Sequence, residues 1–149
     1  MRTLYKLFGI ILFSMFLASC DKDDDITLNC DKEVIISEEL YSTAPDDQLT
    51  IINLKIIDDC LKITFESSGC DGSSWEVKLI DSEEIMESYP IQRRLRLSLK
   101  NEEVCDAVII KEMTFDISKL QVSGDKLLLN ITNSGEQILY EYAYTGTCG

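Results

Sequence analysis

Six cysteines stand at positions 20, 30, 60, 70, 105 and 148 of a 149-residue chain that has no histidine. Thiols can be acylated, oxidised in pairs, bind a metal or attack as nucleophiles. The missing His removes the Ser-His and Cys-His catalytic pairs and every His-containing zinc site. No Cys-x-x-Cys spacing occurs, so neither a metal site nor a dithiol redox site is expected. Carboxylates come in doublets: Glu38-Glu39, Asp46-Asp47, Asp58-Asp59, Glu83-Glu84 and Glu102-Glu103. Acid–base hydrolysis needs two carboxyls facing each other across a cleft, one of them with a raised pKa. Adjacent acids on a strand point to opposite faces, and in loops they are solvated. No catalytic residue and no cofactor is expected, and the chain reads as a non-enzyme.

Three other clusters are candidates for binding. The run Ser68-Gly69-Cys70-Asp71-Gly72-Ser73-Ser74-Trp75 packs small residues into a turning segment. It presents Asp71 and Ser73 as a recognition loop, or it is a disulfide-pinned connection into a core Trp, which is the favoured reading. Arg93, Arg94, Arg96 and Lys100 are the dense basic patch of an acidic protein. Arg94, Arg96 and Lys100 share one strand face. They suit an anionic partner, or they pair across strands with the protein's own acids, which is favoured. Tyr140, Tyr142 and Tyr144 recur at period two. They form an exposed aromatic strip or pack into the core, and for the first two the core is favoured.

The positioning elements begin with an address. Arg2 and Lys6 precede an apolar run over 7–17, then Ala18, Ser19 and Cys20. This is the order of a secretory signal peptide. As a helix the run spans about 16 Å, half of the ~30 Å hydrocarbon core, so it is too short to span a membrane. Leu17-Ala18-Ser19-Cys20 resembles the lipobox of bacterial lipoproteins. That resemblance implies cleavage before Cys20 and lipidation of its thiol. The following Asp21-Lys22-Asp23-Asp24-Asp25 resembles the acidic export signal after the lipidated Cys in surface lipoproteins of Bacteroidota, and the layout of the whole chain resembles their small uncharacterised members. In enterobacteria an Asp directly after the Cys resembles an inner-membrane retention signal. A lipid anchor in the outer membrane, with the domain at the cell surface, is therefore the expected address, with a periplasm-facing or inner-membrane site as the alternative. The division reads 1–19 signal peptide, 20–29 lipidated Cys and acidic linker, 30–149 one domain.

Fourteen Lys and Arg against 27 Asp and Glu give a net charge of −13; without Arg2 and Lys6 it falls to −15. Such a chain does not suit nucleic acid, whose phosphates are bound by Lys and Arg. The partners expected are a membrane through the lipid and a protein or glycan.

From position 33 onward, short runs rich in β-formers alternate with turn residues: 33–37, 49–57, 61–67, 75–81, 94–100, 108–117, 126–132 and 137–144. Residues 37–41 hold one helical turn at most. A two-residue turn at Ser134-Gly135 would set Leu127 opposite Tyr142, Leu129 opposite Tyr140 and Ile131 opposite Ile138. A turn at Asp58-Asp59 would set Ile56 opposite Leu61, Leu54 opposite Ile63 and Ile52 opposite Phe65. Both registers collect apolar residues on one face. Trp75, Val77 and Leu79, then Leu95, Leu97 and Leu99, alternate with polar residues in the same way. The expected fold is all-β, an antiparallel β-sandwich of about seven or eight strands, with a partly open β-barrel as the alternative.

With Cys20 lipidated, five thiols remain, and two bridges among them can be drawn in fifteen ways. The pairing favoured is Cys70–Cys105, both in loops beside the sheet, with Cys30–Cys60 stapling the incoming segment across the first hairpin. Cys148 is left over. The function expected is a lipid-anchored binding or structural module. The alternative is an inhibitor of an extracellular hydrolase, a lysozyme or protease, acting through the loop around 68–74.

Overall fold

A computed structural model describes residues 29–143. Cys20, Asp21, Lys22, Asp23, Asp24, Asp25, Tyr144 and Cys148 lie outside the described residues. The order is β1 (Lys32–Glu33), β2 (Ile35–Ile36), α1 (Glu38–Thr43), β3 (Thr50–Ile57), β4 (Cys60–Gly69), β5 (Glu76–Met86), β6 (Ile91–Lys100), β7 (Ala107–Asp116), a 3-10 turn at Ser118–Leu120, β8 (Lys126–Ile131) and β9 (Glu136–Glu141). One sheet has the order β1-β7-β4-β3 and the other β2-β5-β6-β8-β9. The two sheets make the all-β sandwich. It is mixed rather than purely antiparallel, because β1 with β7, β2 with β5 and β6 with β8 run parallel.

The core follows from alternation. Leu61, Ile63 and Phe65 of β4, Val77 and Leu79 of β5, Leu95, Leu97 and Leu99 of β6 and Leu127 and Leu129 of β8 enter one buried cluster. Each of these strands puts every second side chain between the sheets. Trp75 joins them just before β5.

Four local features depart from the expected pattern. The run at 33–37 is not one strand. Val34 donates its N–H to Asp116 O at 3.0 Å in one sheet, and Ser37 donates to Asp81 O at 3.1 Å in the other. Val34, 4% exposed, fills the crossing point, which gives nine strands. The helix is longer than one turn. Ser37 Oγ caps it by accepting from Leu40 N–H at 3.2 Å. The β8–β9 register sets Leu127 opposite Tyr140 and Leu129 opposite Ile138, two residues from the expected pairing. The loop is longer than Ser134-Gly135: Ser134 and Gly135 both donate to Ile131 O, and Gly135 has φ 70°. A shift of two preserves the faces, so Tyr140 is buried as expected and Tyr142 packs at the core margin. In β3–β4 the pairs Ile56↔Leu61 and Leu54↔Ile63 hold, but Ile51 rather than Ile52 meets Phe65. A bulge expels Ile52 to the surface.

A buried ion pair is absent from the sequence reading. Three residues of β5, 82–84, bulge opposite Arg94, with Asp81 facing Leu95 and Ile85 facing Arg93. Glu83 has φ 64°, and its N–H donates to Asp81 Oδ1 at 2.9 Å. Arg93 then grips the Asp81 carboxylate with both Nε (3.0 Å) and NH2 (2.8 Å). Their side chains are 7% and 0% exposed. Removing one partner leaves a buried charge alone, whereas replacing both by apolar groups removes the desolvation cost as well. Arg93→Met is therefore expected to lower unfolding free energy by about 3–5 kcal/mol, and the added change Asp81→Leu to recover most of it. Urea denaturation of the two variants checks this; a double variant as unstable as the single one would contradict it.

Candidate functional site

The two expected disulfides are present. Cys30–Cys60 spans 5.8 Å between Cα atoms and Cys70–Cys105 spans 4.8 Å. They sit at opposite ends of β4, whose first residue is Cys60 and whose last is Gly69. Nine residue steps at ~3.3 Å separate those ends by about 30 Å. The end carrying Cys70–Cys105 also gathers the loop 68–74 and the segment 101–106, and it is the candidate site.

Its organising group is Glu103. One carboxylate oxygen accepts the N–H groups of Cys70 (2.6 Å), Asp71 (3.2 Å) and Gly72 (3.0 Å). The other accepts Ser74 Oγ–H (2.8 Å) and Ser74 N–H (3.4 Å). Successive backbone N–H groups that converge in this way form an anion-binding nest, and the chain's own carboxylate fills it. Desolvation works to raise the Glu103 pKa. The donors Gly72 N–H, Ser74 Oγ–H, Cys70 N–H and Ser74 N–H outweigh it and hold the pKa at about 2.

The loop closes over Trp75. Gly72 has φ +68°, and a Cβ there would lie 2.5 Å from Lys111 Cε and 3.1 Å from Trp75 Cδ2. Lys111 donates to Gly72 O and places its ammonium 5.4 Å from the Trp75 ring centre. Trp75 Nε1 is buried without a hydrogen-bond partner among the described residues, and its ring edge crowds Gly69. At the tip, Ser73 N–H donates to Asp71 Oδ1 at 2.8 Å. The Ser73 side chain and backbone together lower the Asp71 pKa. Asp71 and Ser73 are therefore exposed but tied to each other, and the loop is the pinned connection into a core Trp that the sequence favours.

The basic patch is occupied internally. Arg96 donates to the carbonyls of Leu40, Tyr41, Ala44 and Pro45 and lies 3.4 Å from Asp46. It ties down the C-terminal end of α1, sharing Leu40 O with the Ala44 N–H and supplying a donor for Tyr41 O in the last turn. Arg94 meets Glu84 at 3.2 Å, and Lys100 meets Glu76 at 3.2 Å and Glu102 at 3.4 Å. Arg94 and Lys100 thus make the ion pairs with the protein's own acids that the sequence favours. The pairing across strands was legible, whereas the helix carbonyls were not, because they lie more than fifty positions away.

Beside Glu103 an open groove of about 610 Å³ is bordered by Asp47, Glu66, Ser68, Asp106 and Val108. Asp47 accepts Asn101 N–H at 2.7 Å. Glu66 and Asp106 make no ion pair among the described residues. The rim favours cations and repels anions. No group of three or more His, Cys, Asp or Glu is gathered for a metal among the described residues. No helix among them is long and apolar enough to cross a membrane. The sequence reading missed Glu103. The signal lay in its place two residues before Cys105, since a Cys70–Cys105 bridge brings 101–106 against the loop.

No family model matches the chain, and no curated protein matches it. Among solved structures it is similar to a DUF1344 protein of unknown function from Bacteroides vulgatus ATCC 8482, with 17% identity and a TM-score of 0.51. The match covers 77% of this chain and 58% of that one. It is also similar to a protein described as toxin-related from Parabacteroides distasonis ATCC 8503, with 17% identity, a TM-score of 0.47 and coverage of 75% and 62%. The chain thus spans less than two thirds of either protein. The first likeness is one of fold.

A carboxylate whose pKa is depressed on folding stabilises the fold above its unfolded value, and that stabilisation is lost as pH falls through the folded value. For Glu103 the window runs from the ordinary glutamate value of 4.5 down to about 2. Glu103→Gln should be less stable than the parent at pH 7, and the gap should close across that window. Thermal melts of both proteins at stepped pH read the difference; a gap constant down to pH 2 would contradict the assignment.

Proposed function

We propose that this chain is a lipid-anchored, non-enzymatic binding module displayed on the bacterial outer membrane. The observation that carries the reading is the sequence Leu17-Ala18-Ser19-Cys20 followed at once by Asp21, Asp23, Asp24 and Asp25. Two or three acyl chains on Cys20 hold a protein stably, where one would be marginal. The acids form a solvated, self-repelling spacer.

The geometry of the domain is consistent with display. The chain arriving from Cys20 is fastened at Cys30 to Cys60, the first residue of β4. The Glu103 nest and the acidic groove stand at the far end of that strand, about 30 Å along it. An anchor at one end turns the other away from the membrane. The functional end is then the acidic one, so its ligand is cationic or neutral, which weighs against lipopolysaccharide phosphate.

A second reading, inhibition of an extracellular lysozyme or protease, draws on the exposed Asp71–Ser73 tip, which is held rigid by Glu103 and the Cys70–Cys105 bridge. A preorganised loop loses little entropy on docking.

Cys20→Ala should leave the protein unacylated, as an unprocessed precursor or in the soluble fraction. Replacing Asp21, Asp23, Asp24 and Asp25 by Asn should leave acylation intact and protect the domain from protease added to whole cells. Membrane attachment that survives Cys20→Ala would refute the anchor. Complete protection of the wild type, with known surface proteins cut, would refute surface display. Inhibition of a hydrolase panel that Asp71→Ala abolishes would favour the second reading.

A further inference from the structure

Among the described residues, β7 offers a long strand edge that is neither covered nor interrupted by a bulge, and we propose that this edge accepts an extended, cationic and aliphatic peptide strand from a partner protein. The inference deepens the binding-module reading, on which it rests, by naming the surface and the chemistry of the ligand.

Ten consecutive residues of β7 pair without a break with β4. On the other side, β1 covers only Phe115 and Asp116. Which backbone groups face that side is fixed by one bond. Thr114 N–H donates outward to Asp31 Oδ2 at 2.8 Å, and Asp31 N–H returns a bond to Thr114 Oγ1 at 2.9 Å. Strand geometry repeats every two residues. Glu112, Ile110 and Val108 therefore turn their N–H and C=O groups to the same side, where no strand lies among the described residues. Asp31 already acts there as a single-residue substitute for a paired strand.

The side chains at the same positions are the wrong ones for an edge meant to stay bare. Val108 is 66% and Ile110 62% exposed, and the neighbouring Val104 is 93% exposed. Edges are normally blunted by bulges, charges, proline or brevity. β3 carries its bulge at Ile52, β5 carries the 82–84 bulge, and β9 is six residues long. β7 has no bulge and no proline between Ala107 and Met113, and of its two charges there Glu112 is paired with Lys62. Its one lysine, Lys111, turns away to the Gly72 carbonyl and the Trp75 ring.

Charge selects the occupant. Glu66 stands directly opposite Ile110 in the register, Asp106 precedes the strand, and neither has an ion-pair partner among the described residues. Glu112 pairs with Lys62 at 2.7 Å. A second copy of a chain at net −13 would bring like charges together at this edge. A strand alternating Val or Ile with Lys or Arg would add backbone hydrogen bonds, cover Val108 and Ile110, meet Asp106 and Glu112 at the edge itself, and extend its basic side chains over β7 toward Glu66, which stands two strand spacings, about 10 Å, away on β4.

The test uses the full-length protein in zwitterionic detergent micelles and a fluorescent peptide of about seven alternating Lys and Val residues, long enough to span the open part of β7. Saturable binding by anisotropy is expected. Val108→Lys with Ile110→Lys should weaken it about tenfold or more. Ile110→Pro should do the same with little change in the melting temperature, because its lost N–H faces the open side and not β4. The same peptide N-methylated at alternate amides, and a Glu/Val counterpart, should bind at least about tenfold more weakly. Absence of saturable binding, equal binding of the N-methylated peptide, or indifference to both variants would overturn the proposal. So would a dimer of the protein that Ile110→Pro dissolves, which would identify a second copy as the occupant. The peptide assay needs no surface display, so its failure leaves the anchor standing, and Cys20→Ala tests the anchor without reference to β7.

Discussion

Leu61, Ile63 and Phe65 on the inner face of β4 belong to the same buried cluster as Leu95, Leu97 and Leu99 of β6, and all six are fully sequestered from solvent. One strand comes from each sheet, and each has hydrogen-bonded neighbours on both sides. This apolar contact between two central strands sets the distance between the sheets. Val34 and Leu120 complete the same cluster from outside those strands, and Tyr140 joins it from β9. A disulfide closes each end of β4, so a central strand of the core is also the one to which both flanking segments are covalently tied. Burial at about 25 cal/mol per Å² supplies the attraction, and the bridges reduce the entropy of the unfolded chain that the attraction must overcome.

Most of this frame was legible because strand alternation has a period of two and tolerates small errors. The displaced β8–β9 register shows how. A two-residue error in the turn leaves Tyr140, Leu127 and Leu129 facing inward, since the error equals one full period. The bulge at Ile52 was not legible, because an isoleucine expelled to the surface looks in sequence like one more core residue. The Asp81–Arg93 pair was hidden for the opposite reason. Both residues fall on the inward face by parity, yet charge argues that they face out, and only the 82–84 bulge brings them together. The disulfides were legible from which loops the strands bring close. Parallel pairing of β6 with β8 was not, because it depends on β7 crossing to the other sheet between them.

The polar chemistry is directed mostly inward. Glu103 fills a nest that could otherwise hold an anion, Asp71 and Ser73 satisfy each other, and Arg96 completes the helix end that lies over the outer face of β5 and β6. Residues that look reactive in the sequence prove to organise loops, and along the β7 edge what is left exposed among the described residues is plainer: the aliphatic side chains of Val108 and Ile110, with Glu66 and Asp106 near them outside any ion pair. A site composed of backbone edge and aliphatic surface leaves almost no trace in residue types, which is why the sequence directs attention to the loop at 68–74 and the arginines instead.

The position of Cys30–Cys60 has a mechanical consequence. Tension arriving from the N-terminal side meets the covalent bridge before it reaches β1 or β2, which pair over only two residues each and would peel apart one bond at a time. The bridge passes the pull to the first residue of β4, in line with the strand and between two neighbours. Loaded in that direction, the ladders on both flanks of β4 are sheared, and many hydrogen bonds must yield together. A pull from that side thereby grips the domain at a central strand, and the two shortest strands are kept out of the line of force.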